Sequence, residues 1–250
     1  MYLKQGGTDM IGLGTIINVV AIIIGGLLGL TVGRFLKERH QNTLNMACGV
    51  CVLFVGMSGT LTGLLSVENG AIVSGHSMLI IACMAPGAIL GEIINLEDGF
   101  ERFGEWLKIK TGNAKDKDFV NGFVSASVTV SIGAMAVVGS IQDGIMGDYS
   151  LLTTKGILDA IIVLIMTCAM GKGCIFSAIP VAVFQGLVTA LSTLIKPLMT
   201  EAALANISTI GSMMVFCVGL NLVWGKKIRV VNLLPALFIA VALAFLPFNF

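Results

Sequence analysis

Residues Ile11–Val32 read IGLGTIINVVAIIIGGLLGLTV and contain no charged side chain. An α-helix needs about 20 mostly apolar residues to cross the hydrocarbon core of a bilayer, so this stretch is long enough to span. The residues before it, MYLKQGGTDM, are only weakly basic, and no small-residue cleavage pattern follows the stretch. We therefore interpret it as a structural helix and not as a signal peptide.

The composition of the whole chain agrees with that interpretation. Apolar residues make up 56% of the 250 residues, charged residues 12%, and the mean hydropathy is +0.97, whereas an ordinary globular domain has about 25% charged residues. A soluble core of this size cannot hide so much apolar surface, but spanning helices satisfy their own backbone groups in lipid. The sequence predicts an all-α integral membrane protein of one domain, residues 1–250, with the lipid bilayer as its partner.

Charge-poor runs predict about eight transmembrane helices, or seven if the fifth run is re-entrant. The runs are approximately Ile11–Val32, Leu44–Leu65, Met78–Leu96, Phe119–Gly139, Ile157–Gly171, Cys174–Ile195, Leu204–Trp224 and Val231–Phe248. The fifth run is short and ends at Gly171-Lys172-Gly173. It either spans fully or is half-inserted.

Basic residues are distributed on one side of these runs. Twelve of the fifteen follow the first, third, fifth and seventh runs, and the other three are Lys4, Lys155 and Lys196. Because cytoplasmic loops carry the excess of Lys and Arg, we expect an inner (plasma) membrane protein with both termini outside. Glu97–Asp118 is then a solvated cytoplasmic loop, with an amphipathic helix around Phe100–Lys110 whose aromatic residues lie in the headgroup layer.

Glycines recur at four-residue spacing in the first three runs, namely at Gly25, Gly29 and Gly33, at Gly59 and Gly63, and at Gly87 and Gly91. Such stripes let membrane helices approach closely. They pack either inside one subunit or, for the first run, at a seam of a homo-oligomer.

A weak internal repeat relates the first two runs to the sixth and seventh. Gly26-Leu27, Gly49 and Phe54 match Gly186-Leu187, Gly211 and Phe216. The two copies are five runs apart, an odd number, so they are inverted relative to each other. Inverted repeats are common in secondary transporters, which bind substrate where the repeats meet. The alternative is that apolar helices rich in Gly and Phe look alike by composition.

Polar residues inside or beside the runs predict a solute or ion pathway, because such residues generally face a bundle interior or a water-filled cavity. Asp159 is the first candidate, with the alternative that it forms only a structural bridge with Lys155 four residues earlier. The glycines in Gly139–Gly144 predict an unwound segment, and Pro180 predicts a broken backbone bond in the sixth run. We expect Gln142, Asp143, Ser177 and Gln185 to line one cavity that Asn18 or Asn221 reaches, and we add Asn232 to the pathway residues.

The sequence gives little support for redox, metal or enzymatic chemistry. Cys48 and Cys51 have the spacing of a redox or metal pair, but they lie in an apolar run without a nearby His or carboxylate. His40 and His76 have no partner at metal-ligand spacing. The sequence contains no H-E-x-x-H motif, no P-loop and no nucleotide-binding glycine motif. We therefore expect no enzyme activity, no cofactor, no metal and no nucleic-acid partner.

Several longer motifs carry a family resemblance. They are Gly133–Gly144 (GAMAVVGSIQDG), Lys155–Asp159, Ile175–Val181 (IFSAIPV), Gln185-Gly186, Gly219–Leu222, Lys227–Ala236 and Gly14–Asn18. At these residues the chain resembles the bacterial uncharacterised membrane proteins related to YdfK and YqgA. The resemblance implies a helical membrane fold but no settled activity. From the residues we expect gradient-driven or passive transport of a small solute or ion, with an oligomeric channel-like pore or a membrane-embedded regulatory protein as alternatives.

Overall fold

The structure is a computed structural model that describes residues 11–68, 71–75, 77–131 and 134–245. Predictions about the first ten residues, His76 and the end of the eighth run therefore lie outside the described residues. The elements are α1 (Leu13–Gly33), α2 (Glu38–Leu64), β1 (Leu65–Glu68), β2 (Ala71–Ser74), α3 (Ser77–Ile94), α4 (Leu96–Lys110), α5 (Phe119–Ser131), α6 (Ala134–Met146), α7 (Ser150–Met170), α8 (Ala178–Ala190), α9 (Ser192–Ile195), α10 (Glu201–Trp224) and α11 (Pro235–Leu243). Short 3-10 helices cover Lys172–Ser177, Lys196–Leu198 and Val230–Leu233.

Six of the described segments are helical, long and apolar enough to cross a membrane: Leu13–Gly33, Arg39–Leu64, Ser77–Ile94, Ser150–Met170, Lys172–Ala190 and Glu201–Trp224. The bent pair α5 and α6 adds a seventh, and Val230–Leu243 is a shorter apolar segment. The all-α membrane fold is thus confirmed. The fifth predicted run was too short, because α7 begins at Ser150 and its 21 residues are long enough to span fully.

The side chains of α1 are arranged as lipid requires. Its buried face consists mostly of glycines with Thr15 and Asn18, whereas large apolar side chains such as Ile16, Ile24 and Leu27 are exposed. A soluble helix has the opposite pattern. Small residues inside and large apolar residues outside are typical of a helix that packs closely in a bilayer.

Other helices of the same subunit pack against the glycine stripes. A Cβ on Gly25 would overlap the Ala160 carbonyl, and a Cβ on Gly33 would lie 3.3 Å from the Cα of Cys168. The stripe of α1 therefore packs against α7, and the two helices run parallel because the contacts advance together along both sequences. Of the two predicted alternatives for this stripe, packing inside one subunit is the one present, since α7 occupies it.

The stripes of α2 and α3 pack against the last third of the chain. Gly49 approaches Val223 and Gly63 approaches Thr209, so α2 and α10 are antiparallel. The glycines of α3 approach Ala236 and Asn232 in the same reversed order. A two-fold axis in the membrane plane makes repeat-related helices antiparallel, so the α2–α10 pair has the orientation that the predicted inverted repeat requires.

The α5–α6 pair crosses the whole thickness of the bundle. At one end, Asp116 before α5 lies beside Gly171 at the end of α7. At the other end, Asp143 of α6 binds Gly14, which packs against Leu152 near the start of α7. The 21 residues of α7 cover about 31 Å at 1.5 Å per residue. We therefore interpret the bent pair, whose two helices meet at an angle of 63°, as one broken crossing.

Two predicted helix breaks are wrong in position. The segment Gly139–Gly144 is helical within α6, and the interruption falls before Ala134. Pro180 lies in the first turn of α8, because α8 begins at Ala178. Residues in the first turn of a helix have no acceptor within the helix for their backbone N–H. Pro180 lacks that N–H, so it is tolerated there without a break.

The segment predicted as a solvated loop is more closely packed than expected. The helix within it is longer, running from Leu96 to Lys110, and Glu97 at its start is only 2% exposed. Phe100 and Phe103 contact Phe123 of α5, with ring centroids 6.0 and 5.9 Å apart. Trp106 is 52% exposed. Only the outer part of the aromatic face is thus free to reach the headgroup layer.

Candidate functional site at the break in the fourth crossing

The interruption between α5 and α6 frees backbone groups at the end of α5. The last carbonyls of any helix have no partner within it and need one from elsewhere. Here the Lys155 ammonium of α7 donates a hydrogen bond to the Val130 carbonyl, 2.7 Å away. A cation at the carboxyl end of a helix also interacts favourably with the helix dipole. Lys155 is thus the cap of the first half of a broken helix.

Lys155 forms an ion pair with Asp159, one turn further along α7. Both residues are buried, at 6% and 4% exposure, and Asp159 is near the middle of the 21-residue helix. Charges inside a bilayer are costly and generally occur where they are paired or where a substrate or ion passes. The predicted pairing is present, and the pair also holds the end of α5.

Asn18 of α1 is next to this pair. A Cβ on Gly156 would lie 3.5 Å from the Asn18 Oδ1, so Gly156 allows the asparagine to approach α7. The Asn18 amide lies close to the Asp159 carboxylate, but its geometry falls short of a full hydrogen bond and both amide atoms are buried without a partner. Of the predicted pathway residues, Asn18 and Asp159 are therefore brought together.

Further buried hydroxyls surround the break. Ser127 and Ser131 of α5 and Ser140 of α6 each have a side-chain oxygen that is buried and has no hydrogen-bond partner among the described residues. Sequence reasoning did not select these serines, although their spacing of four residues in α5 places two of them on one helix face. Polar groups at membrane depth are tolerated where they face protein or a cavity. Buried polar groups from α1, α5, α6 and α7 are therefore found around the break.

An apolar cavity of ≈ 320 Å³ lies on the other side of the same serines. Ser127 and Ser131 line it together with Pro180 of α8, and most of its surface is contributed by aliphatic and aromatic side chains. Phe184 and Leu187, which also line it, are 39% and 55% exposed toward lipid. The break thus has a polar side toward α7 and an apolar side toward the bilayer.

Asp143 has a different role from the predicted one. Its carboxylate is fully buried and accepts hydrogen bonds from the backbone N–H groups of Gly12 and Gly14, at 3.3 and 3.1 Å. It therefore caps the amino terminus of α1, where a negative charge is stabilised by the free N–H groups and the helix dipole. Gln142 beside it is half-buried.

Ser177 and Gln185 do not join Asp143 in one cavity. Gly173 contacts Phe119 at the start of α5, and Thr189 contacts Gly144 at the end of α6, so α8 runs alongside α5 and α6. The twelve residues from Ser177 to Thr189 extend about 18 Å, which separates Ser177 from Asp143. Gln185 is fully buried, and neither of its amide atoms has a hydrogen-bond partner in the part of the chain that the structure describes. It lies one turn before Thr189, on the Asp143 side of the break.

Asn221 and Asn232 are structural residues at the end of the bundle where α10 ends and α4 begins. The Asn221 Oδ1 accepts from the backbone of Lys227 and Ile228, both at 2.9 Å, and its Nδ2 donates to the Ile228 carbonyl. Asn232 accepts from the backbone N–H of Glu97 at 2.7 Å and donates to Glu92. Their amides close the turn after α10 and the start of α4, so neither joins the polar residues at the break.

An ionic cluster at this end was missed by sequence reasoning. The buried Glu97 accepts from the Val231 N–H at 2.9 Å and pairs with Lys226 at 2.9 Å. Lys226 also pairs with Glu101, and Arg229 pairs with Glu92 and Asp98. Burial lowers the pKa of Lys226, but its hydrogen bonds to Glu101 and Glu97 and their charges raise it above the ordinary value overall. These partners are more than a hundred residues apart in sequence, and no local pattern pairs them.

The described cysteine and histidine side chains show no arrangement that could hold a metal ion. Within residues 11–68, 71–75, 77–131 and 134–245, no group of three His, Cys, Asp or Glu side chains is placed to hold a metal ion. All six cysteines are free thiols. Cys48 is buried and Cys51 is exposed, so the two side chains of this pair face different surroundings.

Comparison with known proteins agrees with the membrane fold. A family model described as "Protein of unknown function (DUF554)" matches residues 13–245. The "Uncharacterized membrane protein YdfK" of Bacillus subtilis (strain 168) is 26% identical over 226 residues, which cover 90% of this chain and 93% of the relative. The "Uncharacterized protein YqgA" of Escherichia coli (strain K12) is 27% identical over 236 residues, 93% of this chain and 96% of the relative. No solved structure matches.

Proposed function

This chain belongs to the DUF554 family, whose function is unknown, and from its site we propose that it transports a small polar solute or ion across a bacterial inner membrane. One observation carries the proposal. A crossing helix is broken inside the bundle, and a buried, ion-paired lysine holds the free end of its first half. Discontinuous helices at the centre of an inverted repeat are the common plan of secondary transporters.

The Lys155–Asp159 pair provides a way to couple transport to an ion gradient. Lys155 divides its hydrogen bonds between Asp159 and the Val130 carbonyl. Protonation of Asp159, or cation binding to it, removes the negative partner that positions Lys155. Lys155 can then leave the Val130 carbonyl, and the half-helix α5 is free to move. We propose that this movement opens the path across the membrane. No ATP-binding motif is present in the sequence, so we propose a gradient as the energy source and no enzymatic step.

Purified protein in vesicles tests this proposal. Proton entry is followed with a trapped pH dye after a potassium diffusion potential is imposed, with and without sodium. Asp159→Asn keeps a hydrogen-bond acceptor for Lys155 but removes its counter-charge, so we expect a lower melting temperature and, in the protein that remains folded, a changed flux or a changed dependence of the flux on pH and sodium. Asp148→Asn, in the exposed loop after α6, is the matched control and should leave the flux unchanged.

An Asp159→Asn protein with unaltered flux at every pH and sodium concentration would contradict coupling through this pair. In that case the pair is a structural bridge. Flux that is equal in protein-containing and empty vesicles would contradict ion-coupled transport itself.

A further inference from the structure

A cavity of ≈ 300 Å³ lies at the cytoplasmic end of α2, α5 and α10. We name it the amide vestibule because four asparagines line it, Asn42, Asn45, Asn121 and Asn221, together with Met46, Leu222, Val223 and Gly225. None of these lining residues is charged, although acidic and basic side chains are frequent elsewhere at this end of the molecule. Amides both donate and accept hydrogen bonds and carry no net charge.

One amide oxygen of this lining, that of Asn45, is available to accept a hydrogen bond. Its Nδ2 donates to the Leu222 carbonyl at 3.3 Å, while its Oδ1 is buried and has no partner among the described residues. A buried amide oxygen normally has at least one partner. A bound solute with an O–H or N–H group would supply one.

A narrow constriction continues from the vestibule into the bundle. It is a cavity of ≈ 10 Å³ that shares Asn121 and Asn221 with the vestibule and extends to Ser125 and Val128 of α5. A water molecule needs about 10–15 Å³ measured in this way. The constriction therefore admits at most one water and is closed to any larger solute.

The constriction leads toward the break. Asn121, Ser125 and Val128 recur at intervals of four and three residues, so they lie on one face of α5. Val128 is only two residues before Val130, whose carbonyl Lys155 caps. The constriction thus reaches along α5 to within one turn of the break.

Glu97 and Lys226 form the wall of the constriction that stands opposite α5. They are joined by an ion pair of 2.9 Å, in which Glu97 is 2% and Lys226 40% exposed at the side chain. Lys226 follows Gly225, whose φ of 77° places a turn directly after α10. A change in this turn moves Lys226 away without disturbing a membrane-spanning helix.

We propose that the amide vestibule is the cytoplasmic mouth of the transport path, that it takes a small polar solute without net charge, and that the Glu97–Lys226 pair is its gate. This inference rests on the proposed function. The neutral lining selects against a bare ion or a net-charged solute, because neither finds a compensating charge there. The gate is closed in the structure described here, since the constriction is too small for any solute larger than water.

Cysteine accessibility tests the gate in the full chain. Ser125→Cys, with the six native thiols replaced, is exposed in inverted membrane vesicles to a small water-soluble methanethiosulfonate reagent. We expect slow labelling in the parent. Labelling should be at least about tenfold faster with Glu97→Gln or Lys226→Gln, because either change removes the ion pair that holds the buried Glu97 against Lys226 at this wall. Glu105→Gln breaks the exposed Glu105–Lys108 pair of the same helix and is the matched control.

Reagents of similar size but different charge test the solute class. Neutral, cationic and anionic methanethiosulfonates are compared at Asn121→Cys and normalised to labelling at Lys115→Cys, in the exposed segment after α4. A preference for the neutral reagent at position 121 supports the proposal. Equal or faster labelling there by a charged reagent overturns the solute class.

The outcomes separate the gate from transport. Fast labelling of Ser125→Cys in the parent, or no acceleration by either gate variant in folded protein, overturns the gate. Two different gate variants, each checked by size-exclusion chromatography, guard against a fault of folding. Acceleration without any change of flux in the vesicle assay retains the gated vestibule and contradicts the proposed transport function instead.

Discussion

The Lys155 ammonium lies 2.7 Å from the Val130 carbonyl oxygen, although 25 residues separate the two in sequence. The contact joins the first third of α7 to the end of the half-helix α5. Because α7 also packs along the glycine face of α1, the position of the break is fixed relative to the closely packed α1–α7 pair. Lys155 therefore has both a structural and an electrostatic role.

Loss of the Lys155 side chain alone should strongly destabilise the fold. Lys155→Met leaves the Asp159 charge buried without its partner and the Val130 carbonyl without a cap, and breaking a buried pair in this way costs about 3–5 kcal/mol. We expect a large fall in folded protein, measured by thermal unfolding with fluorescence-detected size exclusion. Lys108→Met breaks only the exposed pair with Glu105 and should cost under about 1 kcal/mol. Equal melting temperatures for the two variants would contradict the capping role.

Neutralising both partners should be tolerated. The variant Lys155→Gln with Asp159→Asn removes both buried charges and retains side chains that can hydrogen-bond to each other and to Val130. Its thermal stability should be closer to the parent than that of Lys155→Met, because no unpaired charge remains. A double variant that is less stable than Lys155→Met would show that the pair stabilises the fold by more than mutual neutralisation.

The membrane fold could be predicted from sequence because its cause is local. Runs without charge determine where helices cross, and four-residue glycine spacing determines which faces touch. The partners of those faces are not local: the sequence does not show that Gly25 meets Ala160 or that Gly63 meets Thr209. For that reason the sequence left packing inside one subunit and an oligomer seam as alternatives for the stripe of α1.

The candidate site was predicted in part. Asp159 and its pairing with Lys155 follow from helical spacing, and the structure adds Asn18 beside them. Asp143, Asn221 and Asn232 were selected because they are polar, but each satisfies backbone groups of a distant segment. Sequence alone does not distinguish a polar side chain that caps a remote helix end from one that meets a substrate.

The glycine at position 25 should tolerate no side chain. A Cβ there would overlap the backbone of Ala160, and overpacking of this kind costs about 1–3 kcal/mol. Gly25→Ala should lower the melting temperature in detergent. Gly186→Ala is the matched control, since no heavy atom lies within 4 Å of its added Cβ, and alanine in a helix should even stabilise by about 0.5–1 kcal/mol. Destabilisation by both would indicate a general intolerance of alanine.

Removal of the Asp143 carboxylate should loosen the start of α1. Asp143→Ala leaves the N–H groups of Gly12 and Gly14 without their acceptor, and loss of a helix amino-terminal cap costs about 0.5–2 kcal/mol. Hydrogen exchange measured by mass spectrometry should rise in peptides that cover the first turn of α1 and remain unchanged in α10. Unchanged protection of the first turn would contradict the capping assignment.

The two ends of the broken crossing should lie on opposite sides of the membrane. Asp116 is beside the end of α7 and Asp143 is near its beginning, so the segments before α5 and after α6 are separated by the length of α7. Single cysteines at Lys115 and Asp148, both exposed, are introduced after the native thiols are replaced. An impermeant thiol reagent in intact cells should label position 148, and position 115 should react only in opened cells, because the excess of basic residues places it in the cytoplasm. Labelling of both in intact cells would make α5–α6 a re-entrant loop, and labelling of 115 alone would reverse the orientation.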